Sequence, residues 1–318
     1  MKLKFLIKGI IKNIPGIEYL YEFNKRTGGT CSARYCYSVW LRHLLYAYNN
    51  GHTSIPKVVA ELGPGDTLGT GLAALISGSE KYYALDIKKY SNPVENLKIF
   101  EELVDLFKQK TDIPDDKEFP RLRPLLADYS FPEQIFTKSH LDRVLNDQRI
   151  LKIRSEILTI DQTYDQKQTR HIEYKVPWDK KEIISAATVD MVFSQAVLQA
   201  VDDLETTYNK INYWLKPNGI QSHDIGFKSC GTADTWYGHW EYSEIEWKLI
   251  RGRKAFIINR EPYSTHRKLL NNNNFEMLVE IKEYRDSNIN CKKIASKYKD
   301  GPKEDFKTYS VFFQAVKS

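Results

Sequence analysis

VVAELGPGDTLGTGLAALISG, residues 58–78, is the stretch whose reading decides the fold. Lys57–Leu62 is a short β-rich run bounded by Pro56 and Gly63, and it reads as a buried strand ending in a carboxylate, Glu61. The next run, residues 68–78, suits a helix whose small residues allow close packing on a sheet and which Gly78 ends. A second strand, Lys81–Ile87, again closes on an acid, Asp86. Strand, glycine turn, helix and strand in that order are the start of an alternating α/β sheet.

Outward from this unit the alternation first stalls. About 85 residues separate Asp86 from the next strand, His171–Val176, whereas a simple strand–helix–strand unit needs about 30 in total. The surplus, with prolines at 114, 120, 124 and 132 and a helix near 139–159, reads as an inserted lobe over about 110–170 that serves as lid or dimer interface. Regular order returns with a strand at Thr188–Gln195, a helix at Val201–Lys216, a Pro217–Gly219 turn and a strand at Ile220–Phe227. A second insertion, about 228–262, holds Trp236, Trp240 and Trp247. A helix around 263–274 and strands Phe275–Tyr284 and Tyr309–Val316 complete the chain. The expected architecture is a doubly wound, mostly parallel seven-stranded sheet (residues 55–318) behind a helical N-terminal cap (residues 1–54). The cap contains a flexible hinge at Thr27–Thr30 and a helix at Ala33–Asn50.

Composition narrows the function classes. The 318 residues are 42% hydrophobic and 28% charged, as in an ordinary globular protein. The net charge of +6 is spread along the chain rather than gathered in a stripe, which argues against nucleic acid. Cys31, Cys36, Cys230 and Cys291 have no zinc-like spacing and read as reduced thiols. No metal is expected; Asp202 and Asp203 read as the acids of a helix N-terminus. At the N-terminus, Leu3, Leu6, Ile7, Ile10 and Ile11 recur at helical spacing beside Lys2, Lys4, Lys8 and Lys12. Residues 1–14 read either as a helix docked on the protein's own body or as a contact with an anionic membrane. The expected location is cytoplasmic, at the inner membrane surface under the second reading.

The turn after the first strand of such a sheet binds anions or nucleotides, because glycines let backbone N–H groups approach the ligand. Gly63, Gly65 and Gly69 give G-x-G-x-x-x-G, one residue longer than the dinucleotide fingerprint. Glu61 at the strand end would repel a pyrophosphate and welcome a cationic amino group. Asp86 is placed for a ribose diol. An amino acid joined to an adenosine ribose satisfies both acids: S-adenosylmethionine.

The chain here resembles the class I (Rossmann-like) S-adenosylmethionine-dependent methyltransferases. The resemblance runs through ELGPGD, ALDI, VDMVFSQAVLQAVDDL and WLKPNG, in that order, over about residues 55–228. Through TGGT-SARYCYSVWLRH and GHW-YS it looks like a bacterial branch associated with glycan and nucleotide-sugar pathways. The resemblance implies that Glu61, Gly63 and Gly65 cradle the methionine end and Asp86 holds the ribose. Ile87 and Trp178 would border the adenine, and Ser194 and Gln195 would line the other side. Two departures stand out: Thr67 replaces a loop glycine, and Leu198-Gln199-Ala200-Val201 replaces a frequent Leu-Glu-His-Val.

Methyl transfer to a hydroxyl needs a base. His223 and Asp224, adjacent on the fifth strand, are candidates, and only one can face the cleft if the strand continues through them. His239 is a third. Trp240 and Tyr242 suit a sugar ring, and Arg260 suits a phosphate or carboxylate. Arg34, Tyr35 and Tyr37 read as a cap over the cofactor. The expected reaction is O-methylation of a sugar or glycan intermediate. Two rivals are a nicotinamide-dependent oxidoreductase on a similar sheet and a non-catalytic, membrane-surface or complex-forming relative.

Overall fold

Val58–Leu62 forms strand β1, and the glycine-rich run after it forms helix α3 (Gly69–Ser77), as the sequence pattern requires. The computed structural model describes residues 2–12, 29–162, 170–179, 183–252 and 257–318. The expected Pro15-Gly16 turn and the first half of the Thr27–Thr30 hinge lie outside the described residues. Before β1 stand α1 (Lys2–Lys12) and α2 (Ala33–Asn49), the latter capped by the Ser32 hydroxyl. After β2 (Lys81–Leu85) come α4 (Pro93–Lys108), α5 (Lys138–Val144), α6 (Asp147–Leu158) and β3 (Ile172–Lys175). Then come β4 (Val189–Gln195), α7 (Leu204–Trp214), β5 (Leu215–Gly226), α8 (Glu244–Arg251), α9 (Tyr263–Asn272), β6 (Phe275–Tyr284) and β7 (Thr308–Lys317).

The strands form one sheet of order β3-β2-β1-β4-β5-β7-β6. All pairings from β3 to β5 are parallel, and β7 runs antiparallel between β5 and β6. The order reverses between β1 and β4, the switch point beyond whose carboxyl ends sheets of this kind hold their ligands. One core packs α2, α3, α4 and α6 on one face of the sheet; the other packs α7 and α9 on the opposite face. Helices on both faces make it doubly wound, as expected.

In the long β2–β3 connection, helix α4 begins with the side chain of Asn92 capping Glu95 and Pro93 in its first turn, and the surplus is the chain beyond Lys108, where the insertion is expected from about 110. One expectation changes in detail: the Pro217–Gly219 turn is an irregularity within β5. The register against β4 shifts between Val189 and Met191, and Asn218 takes a φ of +63°.

The small residues of α3 have a specific use. A Cβ at Gly71 would stand 1.9 Å from the Tyr82 ring, which fills the space where helix meets sheet. Gly71→Ala forces that ring out of a close-packed core, and we expect a loss of about 1–3 kcal/mol in unfolding free energy, measured by urea denaturation.

Candidate active site at the strand ends

The turn after β1 is shaped by two left-handed glycines, Gly63 at φ +62° and Gly65 at φ +82°. A side chain at Gly63 would also meet Val197 at 2.8 Å, so the β1 turn and the β4 turn close on each other at the switch point. Thr67 is fully buried; its hydroxyl donates to the carbonyl of Thr30 at 2.5 Å, and its N–H donates to the Thr30 hydroxyl at 3.2 Å. The described half of the predicted hinge is thus fastened over the loop.

Asp86 terminates this half of the site. Its Oδ1 accepts the N–H of Ile87 at 2.7 Å, and the backbone N–H groups of Lys88 and Gly65 also favour its ionised form. Burial outweighs these bonds and pushes its pKa up to about 6. Ile87 beside it is 40% exposed, an apolar side chain left open next to an acid. Trp178 sits otherwise than expected. Its indole is 8% exposed and packs edge-on against Trp214, and it touches the acid through its backbone N–H, which donates to the Asp86 carbonyl at 3.0 Å.

Glu61 requires a correction. It is 3% exposed and faces α3 rather than the crevice: Tyr82 Oη donates to its Oε2 at 2.5 Å, with further bonds from Thr70 and the N–H of Gly71. Burial raises its pKa to about 8, so near neutrality the carboxyl carries little charge with which to repel a pyrophosphate. Its visible work is to tie β1 to β2 and to the first turn of α3.

On the other side of the switch point, β5 continues through His223 and Asp224, and the two point to opposite faces. His223 is fully buried; its Nδ1 lies 2.7 Å from the hydroxyl of Ser194, and its ring rests against Phe313. Desolvation holds its pKa well below the usual range. This removes both His223 as a base and Ser194 as a wall of the cleft, because alternation turns the pair into the α7–α9 core.

Asp224 faces the α2 side and ends a one-directional chain of hydrogen bonds. The Gln314 amide donates to the Ser222 hydroxyl (3.0 Å), and Ser222 lies 2.6 Å from His43 Nδ1. His43 Nε2 is 3.2 Å from Gln195 Oε1, and Gln195 Nε2 donates to Asp224 Oδ2 at 2.8 Å. The amide orientation of Gln195 assigns the ring proton of His43 to Nε2, so Nδ1 accepts from Ser222. Desolvation lowers the His43 pKa to about 4, and the ring stays neutral. Asp224 Oδ1 has no partner among the described residues. Burial pushes the Asp224 pKa up to about 7, against the pull of Lys228 and Arg123. Arg123 also pairs with Glu283 at 3.3 Å, so Arg123, Lys228 and Glu283 border the acid.

Of the cap residues, only Tyr35 belongs here: its phenol feels both Asp224 and Glu61, and its ring packs edge-on against Phe119. Arg34 instead pairs through both nitrogens with Glu118, and the Tyr37 hydroxyl donates to Thr111 inside the core.

The aromatic block is a packed unit. Trp240 is fully buried, with its Nε1 donating to the Arg260 carbonyl at 2.9 Å, and Tyr242 donates to the Thr232 carbonyl at 2.9 Å. Arg260, 3% exposed and at φ +69°, lies over the rings of Trp247 and Tyr298, donates to the Tyr242 carbonyl and pairs with Glu244. His239 is 1% exposed, and burial lowers its pKa to about 3. In this arrangement Trp240 and Tyr242 offer no face to a sugar, Arg260 no fork to an anion and His239 no base; they hold the insertion together.

Sequence reasoning missed His43, Arg123 and Glu283. The available signal was a histidine in the middle of the apolar helix at 33–50. Arg123 and Glu283 gave none, since only the fold brings them to Asp224. Cys31, Cys36 and Cys230 form no disulfide among the described residues. Among the same residues no group of three or more His, Cys, Asp or Glu converges as a metal site, and no helix is long and apolar enough to cross a membrane. A hollow of about 390 Å³ lies between α9, Lys282 and residues 302–308.

No family model matches the chain, and no curated protein matches it. Solved structures with a related course of the chain include an S-adenosylmethionine-dependent methyltransferase of Methanosarcina mazei, 13% identical, covering 82% of this chain and 92% of that one at a TM-score of 0.41. Another, from Mesorhizobium loti, is 11% identical over 83% and 92% at 0.40. Geranyl diphosphate methyltransferase in complex with GPP and sinefungin is 11% identical over 87% and 78% at 0.43.

Proposed function

We propose that this chain is an S-adenosylmethionine-dependent O-methyltransferase. The observation that supports it is the pairing of two strand-end acids across the switch point: Asp86 beside an open apolar Ile87, and Asp224 with a buried Oδ1 that has no partner among the described residues and a pKa of about 7. The residues present fit the cofactor. The left-handed turn at Gly63 and Gly65 would admit its amino-acid end, Asp86 would accept from a ribose diol, and Ile87 would pack on the adenine. When bound, that cofactor supplies an electrophilic methyl group.

The rest is the work of this chain. Asp224 Oδ1 takes the proton from an acceptor hydroxyl, at a pKa suited to proton transfer near neutrality. Gln195, held by His43, fixes the carboxyl through Oδ2 and leaves Oδ1, buried and without a partner among the described residues, as the oxygen that would take the proton. Tyr35 closes the site from the α2 side. The mixed-charge border of Arg123, Lys228 and Glu283 favours a small, polyhydroxylated acceptor, and a sugar or glycan intermediate is the class we assign.

Calorimetric titration of S-adenosylhomocysteine, NADH and NADPH tests the cofactor. The expected result is binding of S-adenosylhomocysteine alone, with a Kd of about 1 μM, or about −8 kcal/mol. Nicotinamide binding would replace this reading with the oxidoreductase, and silence from all three would favour a non-catalytic role.

A further inference from the structure

Helix α1 is fastened to the protein by its weaker face. Viewed down its axis at 100° per residue, Leu3, Ile7, Ile10 and Ile11 share one arc, and Phe5 and Gly9 share another. The second arc makes the contact. Phe5 joins a small cluster with Tyr242, Trp247 and Ile250, and Gly9 lies so close to α8 that a Cβ there would be 2.1 Å from the Leu249 carbonyl oxygen. The aliphatic arc is left in solvent: Leu3 is 67% exposed, Ile10 50%, Ile7 47% and Ile11 41%.

Helix α8 repeats the arrangement. It turns Trp247 and Ile250 inward and leaves Ile245 76% exposed and Leu249 39% exposed. Two touching helices therefore hold six open aliphatic side chains. A chain that needed α1 only as a strap would have buried the aliphatic arc and exposed the other.

Charge identifies the partner. Lys2, Lys4, Lys8 and Lys12 belong to α1, which has no acid, and Lys248 and Arg251 close α8, Arg251 being paired with Asp202. The acids nearby are engaged: Asp234 pairs with Lys4, Glu244 with Arg260, and Glu246 caps the N–H of Ser243. A second copy would bring lysine-rich helices face to face, which like charge opposes. An anionic surface that also accepts aliphatic side chains meets both features.

We propose that α1 and α8 together form a docking surface for an anionic lipid bilayer. The aliphatic side chains enter the headgroup–acyl boundary, and the lysines meet the phosphates. Gly9 permits the close approach of α1 to α8 that keeps the aliphatic arc free for lipid. The surface is wider than residues 1–14, since the insertion that carries α8 is part of it.

Vesicle flotation with the full chain tests this, using phosphatidylcholine alone and phosphatidylcholine with about one-third phosphatidylglycerol. The expected result is flotation with the anionic vesicles only, weakened at least about tenfold by high salt or by the pair Ile7→Glu and Ile10→Glu. Ile245→Glu should weaken it as well, whereas an α1 acting alone would not notice that change. These positions are open to solvent, so the variants should keep the melting temperature of the parent. Absence of anionic binding, or binding indifferent to the α1 pair, overturns the proposal; binding indifferent to Ile245→Glu removes α8 from it. A dimer seen by light scattering that Ile7→Glu and Ile10→Glu split would assign the face to a second copy instead.

Discussion

Asp224→Asn should lower the rate of methyl transfer by about 10²–10⁴-fold while leaving cofactor affinity near that of the parent. The amide is isosteric and still accepts from Gln195, so the loss reports the proton acceptor and not the packing. The parent rate should rise with pH and level off above about 7, where the carboxyl ionises. The variant's residual rate should lack that inflection. Gln195→Leu removes a donor that favours the ionised form, and the inflection should move to higher pH. A parent profile flat from pH 5 to 9 would remove Asp224 from the chemistry.

The same substitution has a stability signature of opposite sign. The folded protein holds a proton on Asp224 up to about pH 7, while the unfolded chain loses it near the ordinary carboxylate value of about 4. Between those values the folded state binds more protons, so this group's contribution to stability falls as pH rises. Asp224→Asn escapes the penalty and should melt higher than the parent at pH 8, by a margin that shrinks toward pH 4. A gain in stability with a loss of activity is what a site holding a buried acid for chemistry should give.

Asp86→Ala should weaken S-adenosylhomocysteine binding by about 100-fold, read by calorimetry. Two hydrogen bonds from a diol to one carboxylate amount to about 3 kcal/mol at the lower end of the range for charged acceptors. The substitution also frees the N–H groups of Ile87, Lys88 and Gly65, so part of the loss will come from the turn itself. Asp86→Asn separates the two effects: it keeps an acceptor for the backbone and should cost less. Equal affinity in Asp86→Ala and the parent would move the ribose away from β2.

The order of strands and helices was legible because each element has its own periodicity and punctuation. Val58–Leu62 and Val189–Gln195 are apolar runs ended by glycine or polar residues, and α7 begins on the Asp203 side chain, which accepts the N–H of Thr206. The glycine turn was legible because glycine takes the left-handed φ values found at Gly63 and Gly65 at the least cost. That Asp86 stands at a strand end was plain from the sequence alone. Helix α4 opens on Asn92-Pro93, a start signal that the sequence does contain.

Direction and depth were another matter, because they depend on which neighbours a side chain meets. Glu61 looked like a ligand acid until Tyr82, 21 residues on, was found to occupy it. His223 and Asp224 differ by one residue, and the continuation of β5 turns one toward the α7–α9 side and the other toward α2, both buried. Trp240, Tyr242 and Arg260 have the chemistry of a sugar site and the burial of a core. By itself the sequence determined the succession of elements, the glycine turn and the acid at the end of β2, all set by local conformational preference. The tertiary structure decided which way each acid points, which histidine joins the hydrogen bonds that reach Asp224 and which face of α1 stays wet, because burial and hydrogen bonding are settled between residues far apart in the chain.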